Sequence, residues 1–216
     1  LATASHGIAA SRGYEDGENI PRDLMIAEVG LIAKVAGDLP VTADLEAGYG
    51  DPGGTVARAI DVGIVGANLE DQVKPLADAV KAVEAAVAAA ESAGVDFVLN
   101  ARTDVFLRAG DRDPAEVLDD AVRRCRAFLD AGAPVVFVPG FLDVDQVRAL
   151  VDATGPQRLT LIALPGHPPL ATLEQLGVAR VSFGPISQNV ALTALQELVE
   201  EVHRGGTAPA TTRRLN

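Results

Sequence analysis

Short apolar runs alternate along this chain with longer Ala-rich stretches whose apolar positions recur at helical spacing. Each run is rich in Val, Leu, Ile or Ala, is followed by a polar or Gly turn, and gives way to an amphipathic stretch often closed by Gly. The unit recurs at intervals of roughly thirty residues, the length of a βα repeat. The pattern predicts strands over Leu1–Ser5, Val41–Glu46, Gly66–Glu70, Phe97–Arg102, Pro134–Pro139, Leu159–Leu164 and Arg180–Gly184. It predicts helices over Arg22–Val35, Thr55–Val62, Leu76–Ala93, Pro114–Ala131, Val144–Ala153, Leu170–Leu176 and Ile186–His203. Gly37, Gly63, Gly94, Gly132, Gly155 and Gly177 fall where helices should stop, and Asp113-Pro114 and Asp143 where helices should start.

The strand runs are continuously apolar rather than alternating, as in parallel sheets covered by helices on both faces. Strict strand–helix alternation implies right-handed βα units. No GxGxxG turn follows any strand, which weighs against a dinucleotide-binding open sheet and for a (β/α)8 TIM barrel. A barrel has eight strands and typically ~250 residues. The seven predicted strands and a start on a strand without Met imply that the first βα unit is lacking. A single barrel domain over 1–204 is expected, with a flexible or exchanged tail over 205–216.

Composition narrows the partners. Of 216 residues, 48% are hydrophobic and 22% charged, so the chain can bury a large core. Only 4% are aromatic, so that core must be aliphatic. The formal net charge of -12 argues against nucleic acid and against anionic membrane surfaces. No stretch has the length of a membrane span, and no signal peptide is evident. The one cysteine, Cys125, lies in a helical run and excludes an intrachain disulfide, which points to a reducing cytoplasm.

Candidate chemistry gathers at strand ends, where barrels carry their sites. VTADLEAGYGD ends with Asp44 and Glu46, placed on one face by the strand period of two. GANLEDQ brings Asn68, Glu70 and Asp71; FVLNARTD brings Asn100, Arg102 and Asp104. Singly, each acid is equally at home on a barrel rim or as a helix cap. Together, acids on consecutive strand ends would repel one another unless a hard cation joined them. Mg²⁺ accepts carboxylate oxygens and keeps positions open for substrate. Arg102 suits bidentate pairing with a substrate carboxylate.

VTADLEAGYG, GANLEDQ, NARTDVFLRAG, FVPG and GVARVSFGP, in that order and spacing, resemble the phosphoenolpyruvate mutase/isocitrate lyase family along nearly the whole chain. The resemblance implies a barrel that binds Mg²⁺ and a small oxo- or hydroxy-carboxylate, making or breaking C–C or P–C bonds through an enolate. It also implies that Asp44, Glu46 and Glu70 hold the metal, with Glu46 standing where many members have Asp and its longer arm allowing a water-bridged contact. Arg102 matches the substrate-binding Arg, and Asp16 an Asp near the reacting centre. Ser5, His6 and Gly7 match a loop that grips the substrate's anionic group, and Tyr49 is placed to touch substrate. Family members commonly assemble as tetramers with an exchanged C-terminal helix, so a homo-oligomer, dimer or tetramer, is expected; Ile186–His203 could serve that exchange or equally cap its own barrel.

The chain departs from the family in one loop. The Lys-Lys-Cys-Gly-His segment that supplies the acid in isocitrate and methylisocitrate lyases is replaced by EDQVKPLADAV, with Lys74 its only cation and no Cys. The phosphonomutases' longer gating loop is absent too. A short lid excludes water less well, which suits decarboxylation or hydrolytic cleavage better than phosphoryl rearrangement. The leading expectation is a Mg²⁺-dependent C–C lyase. Alternatives are a P–C bond enzyme (a phosphonomutase or phosphonopyruvate hydrolase) and a non-catalytic carboxylate-binding barrel. His6 and His167 are secondary candidates for substrate contact, and His203 is expected to be solvated.

Overall fold

A computed structural model describes residues 1–209 and Arg213. Six parallel strands form one curled sheet in sequence order: β1 (Thr42–Asp44), β2 (Gly66–Glu70), β3 (Val98–Arg102), β4 (Val135–Phe137), β5 (Leu159–Ile162) and β6 (Arg180–Ser182). Every neighbouring pair is parallel, as right-handed βα connections demand. The helices are α1 (Ser5–Ser11), α2 (Arg22–Ala36), α3 (Pro52–Asp61), α4 (Leu76–Ala93), α5 (Pro114–Asp130), α6 (Val144–Thr154), α7 (Leu170–Leu176) and α8 (Ile186–His203). The α/β half-barrel is the fold class that the strand–helix alternation predicts.

The helices bury mostly small or aliphatic residues, with an occasional aromatic, at spacings of three and four. On α4 these are Ala79, Val83, Ala86 and Ala90; on α5 they include Val117, Ala121, Cys125 and Phe128. With so few aromatics, close approach replaces bulk. Gly53, in the first turn of α3, lies where a Cβ would stand 3.0 Å from the carbonyl oxygen of Ala85 on α4.

Three expectations need correcting. Leu1–Ser5 is not a full strand: Ala2 makes a single parallel bridge to Thr42, and α1 starts at Ser5. Glu46 is not in a strand, because β1 stops at Asp44 and Glu46 takes a left-handed backbone at φ 52°. Helix α3 starts before Thr55, because Asp51 caps it by accepting from Gly54 N and Pro52 fits its first turn. Gly53 and Gly54 therefore lie in the first turn of α3.

The described chain separates into two compact units, Leu1–Ser182 and Phe183–Asn216. The expected domain limit at residue 204 thus falls inside the second unit, which contains α8. Of the predicted tail over 205–216, residues 210–212 and 214–216 lie outside the described residues. No helix among the described residues is long and apolar enough to cross a membrane.

Candidate active site

Sheet register builds the site in two rows. Cα partners run Asp44–Asn68–Asn100 in one row and Glu70–Arg102–Phe137 in the next. Asn68 and Glu70 share a face of β2 because strand side chains alternate; Ala67 and Leu69 bury the opposite face. Asn100 and Arg102 do the same on β3. Across the lower row Asn100 Nδ2 donates to Asn68 Oδ1 at 2.7 Å, leaving Asn100 Oδ1 buried without a donor.

Asp44 accepts from Ser5 Oγ and from Glu46 N, each at 3.3 Å. Glu46, 2% exposed, accepts from the Tyr49 hydroxyl at 2.6 Å and from the backbone N–H of Glu18. Glu18 in turn accepts from Tyr49 N. Glu18, Glu46 and Tyr49 all have positive φ, so this clasp rests on backbone that L-residues seldom adopt. Burial pushes the Tyr49 phenol up, and the neighbouring Glu46 carboxylate adds to the effect, keeping it a neutral donor.

Arg102 lies with its guanidinium 5.9 Å over the Phe137 ring. Its Nη1 stands 3.1 Å from Glu70 Oε2 and its Nε donates to Asp104 Oδ1 at 2.7 Å. Asp104 is fixed from behind: its backbone N donates to Asp71 Oδ1 at 3.1 Å, and Asp71 Oδ2 pairs with the buried Arg124 at 3.0 Å. Arg124 Nη1 also caps the carbonyl of Lys74, so one buried ion pair ties together the turns after β2 and β3.

Ser5, Asp16, Gly17, Glu46, Glu70, Arg102, Asp104, Leu107 and Arg108 line a cavity of about 380 Å³. This is small-molecule size. Burial raises Asp44, against the pull of Arg102. Burial likewise raises Glu46, against its hydrogen bond from Tyr49. Burial pushes Glu70 up to about 7, opposed by Arg102 and reinforced by Asp104 and Asp44. Because Glu70 protonates more readily in the folded chain than in the unfolded one, its stability contribution is complete below about pH 4.5. That contribution is lost as pH rises through about 7. The metal-free protein should therefore lose on the order of 2–3 kcal/mol between pH 5 and 8, or ~5 °C or more of thermal midpoint. Melting curves of Glu70→Gln should show a flatter profile. An identical profile would assign the titration to another group.

Of the residues singled out from sequence, Ser5, Asp16, Glu46, Glu70 and Arg102 share this cavity, and Asp44 adjoins it through Ser5 and Glu46. Tyr49 stands behind Glu46. His6 is exposed on α1, and neither it nor Gly7 lines the cavity. His167 is half-buried after β5, and burial lowers its pKa against an opposing hydrogen bond with the Gly140 backbone; it too lies outside the lining. His203 is exposed on α8. The sequence reading missed Glu18, Leu107 and Arg108. It noted Asp104 as a strand-end acid but not as the partner of Arg102.

The donor set fits Mg²⁺. Among the described residues no three His, Cys, Asp or Glu side chains converge closely enough to enclose an ion. Mg²⁺ does not need such a cage, since it is held by one or two carboxylates and keeps several waters. Asp44 and Glu70 are raised carboxyls that a cation would let ionise. Asn100 Oδ1 is an orphaned buried acceptor in the same row as Asp44, suited to a hydrogen from a metal-held water.

The sequence profile of phosphoenolpyruvate phosphomutase matches residues 1–203. The structure is similar to a phosphonomutase-like protein from Burkholderia cenocepacia J2315, with 41% identity, TM-score 0.86, and coverage of 93% of this chain and 84% of that one. It is similar to oxaloacetate acetylhydrolase in complex with oxalate, with 30% identity, TM-score 0.84, and coverage of 98% and 78%. The 2-methylisocitrate lyase of Escherichia coli K12 is 30% identical over 216 residues, covering 92% of this chain and 70% of that protein. Strand-end acids, a stacked arginine and these likenesses agree: the chain belongs to the phosphoenolpyruvate mutase/isocitrate lyase family of lyases and mutases.

Proposed function

We propose that the chain is a Mg²⁺-dependent lyase that cleaves a C–C bond of a small α-oxo or α-hydroxy carboxylate through an enolate. The observation that carries this reading is the register that sets Glu70 beside Arg102, one row beyond Asp44, around a cavity of about 380 Å³. Asp44 and Glu70 would hold Mg²⁺ directly, and Glu46 through water, since its carboxylate already accepts from Tyr49 and Glu18. Bound there, the metal supplies Lewis-acid stabilisation of negative charge growing on the substrate's oxo oxygen. Arg102 orients the substrate carboxylate with its planar donors, supported by Phe137 and Asp104. Ser5 offers a hydroxyl, and Asp16, exposed at the lining, handles the proton of the departing fragment. His6 and Gly7 would act only by closing on the bound substrate.

Only Asp71–Pro75 separates β2 from α4, and it carries no cysteine. Such a short turn leaves water access to the cavity, which favours cleavage over rearrangement. The reading is tested by assaying pyruvate and oxaloacetate release from a panel of C4–C7 acids. Turnover on at least one, abolished by EDTA and restored by Mg²⁺, is expected; no turnover, or turnover indifferent to EDTA, would sink it. A P–C bond reaction is the second reading, favoured by the likeness to the phosphonomutase-like protein. Phosphorus NMR with phosphonopyruvate separates the two.

The reading extends to assembly and location. Helix α8 buries no residue and exposes Val190, Leu192, Leu195, Val199 and Val202, which a dimer or tetramer would cover. A single-chain mass by light scattering would remove this part. A reducing cytoplasm suits the lone thiol.

A further inference from the structure

We infer that Arg124, a buried residue of α5 that lines no part of the cavity, is a positioning residue: it clamps the turn after β2 to the stretch after β3, holds Asp104 in place, and thereby aims Arg102. That Arg102 meets a substrate carboxylate rests on the oxo-acid reading above. The Arg124 side chain is 6% exposed and that of Asp71 2%. An ion pair this deep adds little net stability, because taking both charges out of water offsets their attraction. What it does fix is direction. Arg124 Nη1 donates to Asp71 Oδ2 and to the carbonyl of Lys74, each at 3.0 Å. Its Nε donates to Asp120 Oδ1 at 3.2 Å. One planar guanidinium thus orients three acceptors at once, which a point charge on a flexible stem does not do.

Two of these acceptors lead to the cavity wall. Asp71 Oδ1 accepts from Asp104 N at 3.1 Å and from Val73 N at 2.8 Å, and Asp71 N donates to the carbonyl of Arg102 at 3.0 Å. Asp71 therefore grips the chain on both sides of Thr103. Asp104 Oδ1 in turn accepts from Arg102 Nε at 2.7 Å. The N–H of Arg108 donates to the carbonyl of Asp104 at 2.9 Å, closing one turn, so Leu107 and Arg108 of the lining hang from the same residue. Nearer α5, Asp120 Oδ2 accepts from Arg112 Nη1 and Nη2, each at 3.4 Å. Arg124 thus reaches the stretch between β3 and α5 at its start through Asp71 and near its end through Asp120. The turn on the other side of the clamp is strained. Gln72 and Val73 both have left-handed backbone, with φ 49° and 56°, which a β-branched residue seldom adopts. Such strain persists where the surroundings over-determine it, and the Asp71 carboxyl that Arg124 aims supplies that constraint.

The test is the double variant Asp71→Asn/Arg124→Met, which removes both charges and leaves neither buried unpaired. The amide keeps an acceptor for Asp104 N but loses the fork that aims it. Two readings accompany thermal melting: calorimetric titration with oxalate at saturating Mg²⁺, and the NMR signal of the Arg102 Nε–H, identified by its loss in Arg102→Lys. The melting temperature should stay close to that of the wild type, with oxalate stoichiometry unchanged. The Kd for oxalate should rise about tenfold to a hundredfold, the effect of displacing a binding group by about an ångström. The Nε–H signal should move to the position of a solvent-exposed arginine. Arg124→Lys, which keeps the charge but not the fork, should fall between, and it decides by the same readings if the double variant does not fold. A folded variant with Kd and Nε–H signal unchanged overturns the inference, whatever its melting temperature and stoichiometry, and makes Arg124 merely structural. If the wild type binds no oxalate, the oxo-acid reading fails; the Nε–H signal still decides whether Arg124 aims Arg102, and an unmoved signal overturns that as well.

Discussion

Asp44→Asn is expected to abolish Mg²⁺-dependent turnover while leaving the fold intact, with a fall in kcat of about 10³-fold or more. The substitution keeps the shape of the side chain and an oxygen able to accept from Ser5 Oγ or Glu46 N. It removes the charge and turns one acceptor oxygen into an amide donor. In the folded protein that charge is already disfavoured by burial, so the metal-free variant should be as stable as the wild type or slightly more so. The loss should appear where a cation is needed. Calorimetric Mg²⁺ binding should weaken in parallel with kcat, and raising the Mg²⁺ concentration should recover part of the activity. An unchanged metal titration with normal turnover would remove Asp44 from the site.

Arg102→Lys should lower kcat/KM by roughly 10²–10³-fold, although it conserves charge. Three contacts depend on a planar guanidinium: the face over Phe137, Nε on Asp104, and Nη1 beside Glu70. An ammonium is a point charge on a flexible stem. It can reach one acid but cannot stack and present two parallel donors at once. The variant should also weaken oxalate binding, read as a higher Kd, while its melting temperature changes little, because Asp104 keeps its own backbone tie to Asp71. A Lys variant with wild-type kcat/KM would show that no substrate carboxylate rests on this group.

Much of the framework was legible because local signals agreed. Helices α4, α7 and α8 have the boundaries that the apolar spacing and flanking glycines predict. Strand-end placement likewise made Asp44, Glu70 and Arg102 readable, since their positions follow from strand period and parallel register. What failed depended on tertiary context. SHGIAAS carries no helical stripe and follows a β-rich run, so it reads as the loop after a strand; the structure forms α1 there, with Ser5 Oγ donating to Asp44 at its first turn. The Glu18–Glu46–Tyr49 clasp needs three left-handed residues, none of them Gly, which no propensity announces. Arg108 has the appearance of an ordinary surface cation until the turn closed on Asp104 brings it to the cavity.

Cys125, buried on α5 with its thiol pushed up to about 12 by burial and the Asp71 charge, is the one cysteine in the chain. A maleimide reagent at neutral pH needs an accessible thiolate, and this group offers neither access nor charge. The protein is thus chemically silent toward thiol labels without any cysteine having to be engineered out. A cysteine placed at the exposed Phe141, in the turn after β4, would be the single reactive handle. A fluorophore attached there would report substrate arrival at the strand ends from an otherwise native molecule.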